Sequence, residues 1–411
     1  MNDLLEKIAT EHGTPCFVYF VEQIRERVSS LREAFGGRFQ ISYAVKANPN
    51  PLLLHRLRGV VDLLDISSGG ELSLALRHEW PRECISFTGP GKREQDLRQA
   101  IEHRIGEHVV ESVDEARTLD ALASNLPDGE RQRVLVRVAP KKLPRGFGVR
   151  MAGKPCQFGI DEEDADEAIE EIRQLPRLEL CGYHVYSGTQ CLDAAAIAAN
   201  YEIFVDLFRR LSVAHDQRPA KLIFGSGIGI PYHDDDEPVD LDEVARRVNP
   251  VIDSLRAESR FRDTACVLET GRYLVGEAGI YVTRVVRTKR SKGVDIAICD
   301  GGMNHHLAAC GHLGGLLHRN YRMFKVGCDP SGSPAKSYDL VGPLCTTIDR
   351  LGHGVKLPHL SQGDLIAIRS SGAYGLTVSP VHFISHDLPK EIIVETREGR
   401  EEVMDASWVT R

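Results

Sequence analysis

Between Phe39 and Gly271 the chain repeats one pattern eight times: a short apolar or β-branched run, then a stretch with apolar residues at helical spacing. The runs are FQISYAVKA, LLDIS, CISFTGP, HVVES, VLVRVAP, LCGYHVYSG, KLIFGSG and CVLETG. The stretches between them include GGELSLALRHEW, KREQDLRQAIEHRI, VDEARTLDALASNL and EEDADEAIEEIRQL. Eight strand-helix repeats predict an α/β chain built on a (β/α)8 barrel, and in that architecture functional side chains stand at the C-terminal ends of the strands.

After Gly271 the pattern changes. YVTRVVRT, VDIAICD, DLIAIRS and VHFISH have strand length with few helical stretches between them, which predicts a second, mainly β domain. TPCFVYF near the N-terminus also reads as a strand, so the β domain is expected to draw on both chain ends. The expected division is residues 28–272 for the barrel, and 1–27 with 273–411 for the β-rich domain.

With 411 residues and 42% hydrophobic side chains, the chain can fill two such cores. The 59 acidic and 51 basic side chains leave a formal charge of −8, which argues against broad binding to nucleic acid or to an anionic membrane. Ten scattered cysteines form no C-x-x-C pair, so a reducing cytoplasm is the expected compartment. MNDLLEKIATEHG lacks a basic stretch followed by an apolar core, and no run of about 18 apolar residues occurs, so neither export nor a membrane span is expected.

The first barrel strand ends in YAVKAN, which puts Lys46 at the mouth, where a lysine can bond covalently; alone it also reads as a snorkelling strand-end lysine. FGSGIGIPY at the seventh strand end supplies Gly225, Gly227 and Gly229, which let backbone N–H groups approach a phosphate. The eighth strand ends in ETGR, where Glu269 can pair with a pyridinium nitrogen and Arg272 can face phosphate; a surface ion pair is the plainer reading. His184 in YHVYSG can stack on a planar cofactor while Ser187 donates to phosphate, although a lone histidine there is also a common structural group. Asp65 in LLDIS is a further carboxylate at the mouth and Glu71 opens the next helix; either can simply cap that helix.

Together these positions resemble the fold-type III pyridoxal-phosphate decarboxylases, the group of diaminopimelate, ornithine and arginine decarboxylases. The resemblance runs in family order through YAVKAN, LDISSGGEL, YHVYSGTQ, FGSGIGIPY, ETGRYLVGEAG, CDGGMNHHL, GPLCTTID and SGAYG. It implies a barrel plus a β domain, active as a head-to-tail homodimer with shared active sites. It further implies pyridoxal 5'-phosphate as cofactor, Lys46 as the Schiff-base lysine and His184 as the histidine on the ring. Glu269 then matches the partner of the pyridine nitrogen, and Ser187, Gly227, Arg272 and Tyr374 match phosphate contacts. Cys345 resembles the cysteine that the partner subunit inserts to protonate the substrate carbon once CO2 has left; without the motif it reads as a buried core cysteine.

Two departures bear on substrate. Diaminopimelate, ornithine and arginine decarboxylases place an acid directly after that cysteine to grip a distal amino group, and here the position is Thr346, although Asp349 lies three residues on. GGMNHHLAACG also lacks the arginine that diaminopimelate decarboxylases use for a distal carboxylate. The phrases GGMNHHLA, GPLCT and SGAYGL resemble a subgroup that includes the butirosin-pathway decarboxylase of a glutamyl group tethered to an acyl carrier protein. A tethered substrate ends in a thioester and needs no charged clamp. Carrier proteins are acidic, and 141–154, KKLPRGFGVRMAGK, has five basic residues and no acid; a solvated charge run is the plainer alternative. The competing readings are a decarboxylase of free diaminopimelate, lysine or ornithine, an amino-acid racemase, and a non-catalytic homologue. His305, His306 and the run HDDDE at 233–237 superficially suggest metal, but adjacent ligands rarely converge on one ion and acidic runs are usually solvated, so no metal is expected.

Overall fold

The computed structural model describes residues 1–311, 319–328 and 335–408, which divide into two compact units. One comprises Arg27–Gly229 and Pro238–Gly271, the other Met1–Glu26, Ile230–Glu237 and Arg272–Arg411.

The first unit is a closed parallel barrel. Its strands are Gln40–Ala44, Leu63–Ile66, Ile85–Phe87, Glu107–Val110, Gln132–Ala139, Leu178–Val185, Lys221–Gly225 and Ala265–Thr270. Each pairs in parallel with the next along the chain, and the last pairs with the first, through Val267 against Gln40 to Thr270 against Tyr43. The eight apolar runs of the sequence are therefore the eight staves. Leu63, Val109, Leu135, Ile223 and Val267, drawn from five different strands, meet in one buried cluster. Each such side chain contributes about 1.5–3 kcal/mol when fully buried.

Alternation along the seventh strand turns Phe224 the other way. Its ring packs edge-on to Phe208 at 5.0 Å and stacks with Tyr201 at 5.7 Å on the helix Ala194–Ala214. That helix starts where Asp193 accepts hydrogen bonds from the N–H groups of Ala195 and Ala196. Lys221 and Glu107 are the first residues of their strands, and their side chains meet at 2.6 and 2.7 Å, buried.

In the second unit the strand Cys16–Phe20 lies antiparallel to Gly279–Ser291 and parallel to Lys390–Arg397, so both ends of the chain enter one sheet. Helix Asn2–Glu11 lays Leu5, Ile8 and Ala9 on this sheet beside Val18, Ile280, Val282, Ile392 and Val394. Three details differ from the expected domains: Arg27 falls with the barrel unit, and residues 230–237 and Arg272 fall with the β unit. VHFISH is not a strand. It makes a 3-10 turn at Phe383–Ser385, where Ile384 and Ser385 take φ of 48° and 60° and Phe383 and Ile384 stay exposed. Its apolar alternation has no strand to pair with among the described residues. Among the described residues, no helix is long and apolar enough to cross a membrane.

Candidate active site

Lys46 sits where the first barrel strand runs into the 3-10 turn Val45–Ala47. Barrel closure gives that strand two neighbours, the second and the eighth, and each sends a carboxylate to the lysine. Lys46 Nζ lies 3.2 Å from Asp65 Oδ2 and 3.3 Å from Glu269 Oε1. The carboxylates are buried at 3% and 2% side-chain exposure, whereas the lysine keeps 38%, so the cation is held from beneath and open on one side. From the sixth strand, His184 Nε2 meets Glu269 Oε2 at 2.7 Å.

This packing separates the two acids. Burial pushes Asp65 up, the Glu269 charge pushes it further, and its carboxyl reaches about 7 despite Lys46. Burial acts on Glu269 too, but the Lys46 ammonium and the His184 hydrogen bond outweigh it and hold that carboxyl well below the usual carboxylate range. His184 is pushed down by burial, against the pull of Glu269, so its imidazole is neutral and donates from Nε2. Its Nδ1 is buried with no hydrogen-bond partner among the described residues.

The glycine turn lies beside this cluster. Ser226 N–H donates to the Glu269 carbonyl at 2.9 Å, which ties the turn to the eighth strand. Gly227 has φ +67°, and a Cβ there would stand 2.6 Å from Phe147 Cε1. The segment Gly188–Cys191 runs alongside, with Cys191 N–H donating to the Gly227 carbonyl at 3.0 Å and Gly229 N–H to the Cys191 carbonyl at 2.8 Å. Ser187, just before it, donates to Asn200 Oδ1 at 2.7 Å, and Asn200 Nδ2 is buried with no partner among the described residues. A Cβ on Gly225 would collide with the Tyr186 ring, whose centroid lies 5.9 Å from Lys46 Nζ.

These features fit a phosphorylated pyridine aldehyde. An amine lies between two carboxylates, one of them fixed as an anion. A buried imidazole stands beside that anion, and a glycine-rich turn and a hydroxyl border the cluster.

Glu71 does something else. Its carboxylate accepts from Ser67 N–H at 2.6 Å, while Ser68 caps the helix Gly69–Arg77. Asp65, by contrast, faces Lys46 and does not cap.

The β unit holds the remaining candidates. Arg272 donates to Tyr232 Oη at 2.6 Å, and its guanidinium lies 4.8 Å from the centre of the Tyr374 ring. Cys345 is exposed in the loop between the strands Lys336–Val341 and Arg350–Leu357, not buried in a core. Asp349 is 2% exposed, and its two oxygens accept from Met303 N–H at 2.6 Å and Leu344 N–H at 2.8 Å. Both oxygens are thus engaged by backbone N–H groups, one of its own loop and one of Met303, and do not stand free beside Thr346.

His305 and His306 are core residues. Tyr281 Oη and the Asp387 carbonyl flank His305, and Ser371 Oγ pairs with His306. Burial pushes them down to about 4 and about 3. In the 233–237 run, Asp236 accepts from the N–H groups of Tyr232 and His233 and pairs with Arg319.

Besides the Lys221–Glu107 pair, sequence reasoning missed a further buried charge system. Arg137, inside VLVRVAP, bonds Glu111 at 2.8 Å, and Glu111 also accepts from Gly89 N–H and Gly159 N–H at 2.8 and 2.9 Å. Charges inside otherwise apolar strand runs were the available signal.

Residues 21–276 match the family model for the pyridoxal-binding domain of pyridoxal-dependent decarboxylases. The chain is 35% identical to the L-glutamyl-[BtrI acyl-carrier protein] decarboxylase of Niallia circulans, over 92% of this chain and 88% of that protein. It is 31% identical to the diaminopimelate decarboxylase of Aquifex aeolicus, over 95% of this chain and 89% of that one. The crystal structure of Helicobacter pylori diaminopimelate decarboxylase complexed with L-lysine is similar at a TM-score of 0.84 and 27% identity, covering 97% of this chain and 95% of that chain.

Proposed function

The chain belongs to the pyridoxal-dependent decarboxylases, and from that premise we propose that it removes the α-carboxylate of an amino acid carried as a thioester on an acyl carrier protein. The observation that carries this reading is the state of the Cys345 loop. Thr346 is neutral and Asp349 is tied to Met303 and Leu344, so neither residue offers a distal ammonium a free carboxylate. A buried ammonium without such a partner loses a strong charge-assisted bond. A thioester has no charge to match. The similarity to a decarboxylase of carrier-bound glutamate supports the same reading.

Lys46 would hold the cofactor covalently through Nζ, Glu269 would face the ring nitrogen, and His184 would lie on the ring. Ser187 and Gly227, with Arg272 and Tyr374, would contact the phosphate. When bound, pyridoxal phosphate supplies the electron sink for breaking the bond to the carboxylate. The chain's own contribution is electrostatic. Glu269, kept ionised, would favour a proton on the ring nitrogen of the bound group, while Asp65, poised near neutrality, faces Lys46 and could exchange a proton with its amine. Cys345, exposed on its loop, would deliver a proton to the substrate carbon in a partner subunit's site of a homodimer.

The test is CO2 release by the cofactor-loaded protein from glutamyl and aspartyl groups on an acyl carrier protein, beside free diaminopimelate, lysine, ornithine and glutamate. Turnover of the tethered groups alone supports the proposal. Efficient turnover of a free diamino acid overturns it in favour of the second reading, a free diamino-acid decarboxylase, which the 31% identity to diaminopimelate decarboxylase favours.

A further inference from the structure

On a chain of net charge −8, residues 141–154 hold five cations and no acid. Lys141, Lys142, Arg145, Arg150 and Lys154 are all exposed. Lys141 has an acid nearby, Glu163 at 3.8 Å; Lys142, Arg145, Arg150 and Lys154 make no ion pair among the described residues. Opposite charges are plentiful elsewhere on this surface, so an unneutralised cluster has a cost in self-repulsion that a partner would relieve.

Its position in the barrel unit gives the cluster a use. The strand Phe147–Arg150 pairs antiparallel with Gly188–Cys191, with Val149 opposite Thr189 and Arg150 opposite Gly188. That second strand begins directly after Ser187 and is hydrogen-bonded to the Gly227 turn. Phe147 is buried against Gly188 and Gly227, while the cations beside it stay exposed. The basic ribbon is therefore bound to the backbone that borders the Lys46 cluster, at the C-terminal ends of the strands.

We propose that the ribbon 141–154 is the docking surface for the acidic carrier protein that brings the aminoacyl thioester to the barrel mouth. The inference rests on the carrier-bound reading of the substrate. Surface charge of this kind speeds encounter and selects the partner, and it weakens with salt. Nucleic acid would also meet a basic ribbon, but the acidic balance of the whole chain opposes a long polyanion and not a small acidic domain.

The chain supplies its own control. Arg287, Lys289, Arg290 and Lys292 form a second dense run of cations, on the hairpin of Gly279–Ser291 and Val294–Cys299 in the β unit. Two triple charge reversals are compared on the pyridoxal-phosphate-loaded enzyme: K142E/R145E/K154E on the ribbon, and R287E/K289E/R290E on the hairpin. The first readout is binding of phosphopantetheinylated carrier protein without an amino acid, by fluorescence anisotropy across a salt series. The second is KM for glutamyl carrier protein against KM for the same glutamyl group on free pantetheine.

The ribbon variant is expected to bind carrier at least tenfold more weakly and to lose most of the salt dependence. Its KM should rise by a similar factor for the carrier-borne substrate only. The hairpin variant should match wild type in both. Equal binding by the ribbon variant and wild type, greater loss in the hairpin variant, or tighter binding of single-stranded DNA than of carrier overturns the docking surface. Turnover of free amino acids alone overturns the substrate reading; the binding readout still decides whether the ribbon recognises an acidic carrier.

Discussion

Replacing Asp65 with asparagine isolates the electrostatic strain under Lys46. Burial first, and the Glu269 charge second, raise this carboxyl from the ordinary 3.8 to about 7. Between those values the folded protein holds a proton that the unfolded chain has released, so stability falls as pH rises. It is fully present below about pH 4 and lost as pH passes about 7. A rise from 3.8 to about 7 corresponds to about 4 kcal/mol, with a limiting slope of about 1.4 kcal/mol per pH unit. An asparagine side chain at this position has no such proton to lose. Urea unfolding of the cofactor-free wild type and D65N, from about pH 4.5 to 8, gives the difference between the two curves, in which groups that titrate alike cancel. The asparagine variant should gain on wild type steadily across this window, by several kcal/mol at the alkaline end. Curves that stay parallel would show that Asp65 ionises normally and that Lys46 satisfies both carboxylates.

The buried Lys221–Glu107 pair gives a second case: K221M strands a carboxylate at 2% exposure and should cost about 3–5 kcal/mol in urea unfolding, with much of it recovered in E107Q/K221M. A loss below about 1 kcal/mol would mean that water reaches Glu107. Tyr186, with its ring 5.9 Å from Lys46 Nζ, should matter for cofactor retention. A cation–π contact of about 0.5–2 kcal/mol stabilises the free Lys46 ammonium, which must give up a proton before the amine bonds the aldehyde, so Y186A should load pyridoxal phosphate about two- to thirtyfold more tightly by absorbance titration, with Y186F near wild type; equal effects of the two variants would remove the ring from the explanation. Mixing inactive K46A with inactive C345A should restore CO2 release if the exposed Cys345 completes a partner's site, and a fully active monomer in sedimentation would refute the shared site.

The period of the apolar runs was enough to read the barrel, and the rule that function gathers at strand ends then singled out Lys46, Asp65, His184 and Glu269. What period cannot give is the direction of a side chain within a loop. Asp349 stood three residues from Thr346 and looked available, yet its oxygens turn inward to Met303 and Leu344. Closure is equally invisible: Glu107 and Lys221 are 114 residues apart, and only the ring of strands makes them neighbours. The strand Lys390–Arg397 escaped notice because its partner, Cys16–Phe20, lies at the other end of the chain. VHFISH failed in the opposite sense, since alternation marks a strand only where a neighbour exists to take its backbone bonds.

The Arg137–Glu111 pair links the barrel interior to the ribbon that the substrate reading needs. Burial raises the Glu111 carboxyl, but Arg137 and Lys92 outweigh it and keep the group ionised. That anion grips Gly159 N–H, at the far end of the excursion that leaves the fifth strand after Ala139, and the Arg137 guanidinium lies 4.9 Å from the centre of the Phe158 ring. The return of the loop is thus fixed by charge-assisted bonds, each roughly twice as strong as a neutral one. Its middle is held by the pairing of Phe147–Arg150 with Gly188–Cys191. The cationic segment is thus paired with the Gly188–Cys191 strand, which is itself hydrogen-bonded to the Gly227 turn. A partner seated on the cations would therefore bear on the turn that we propose contacts the phosphate, without touching Lys46.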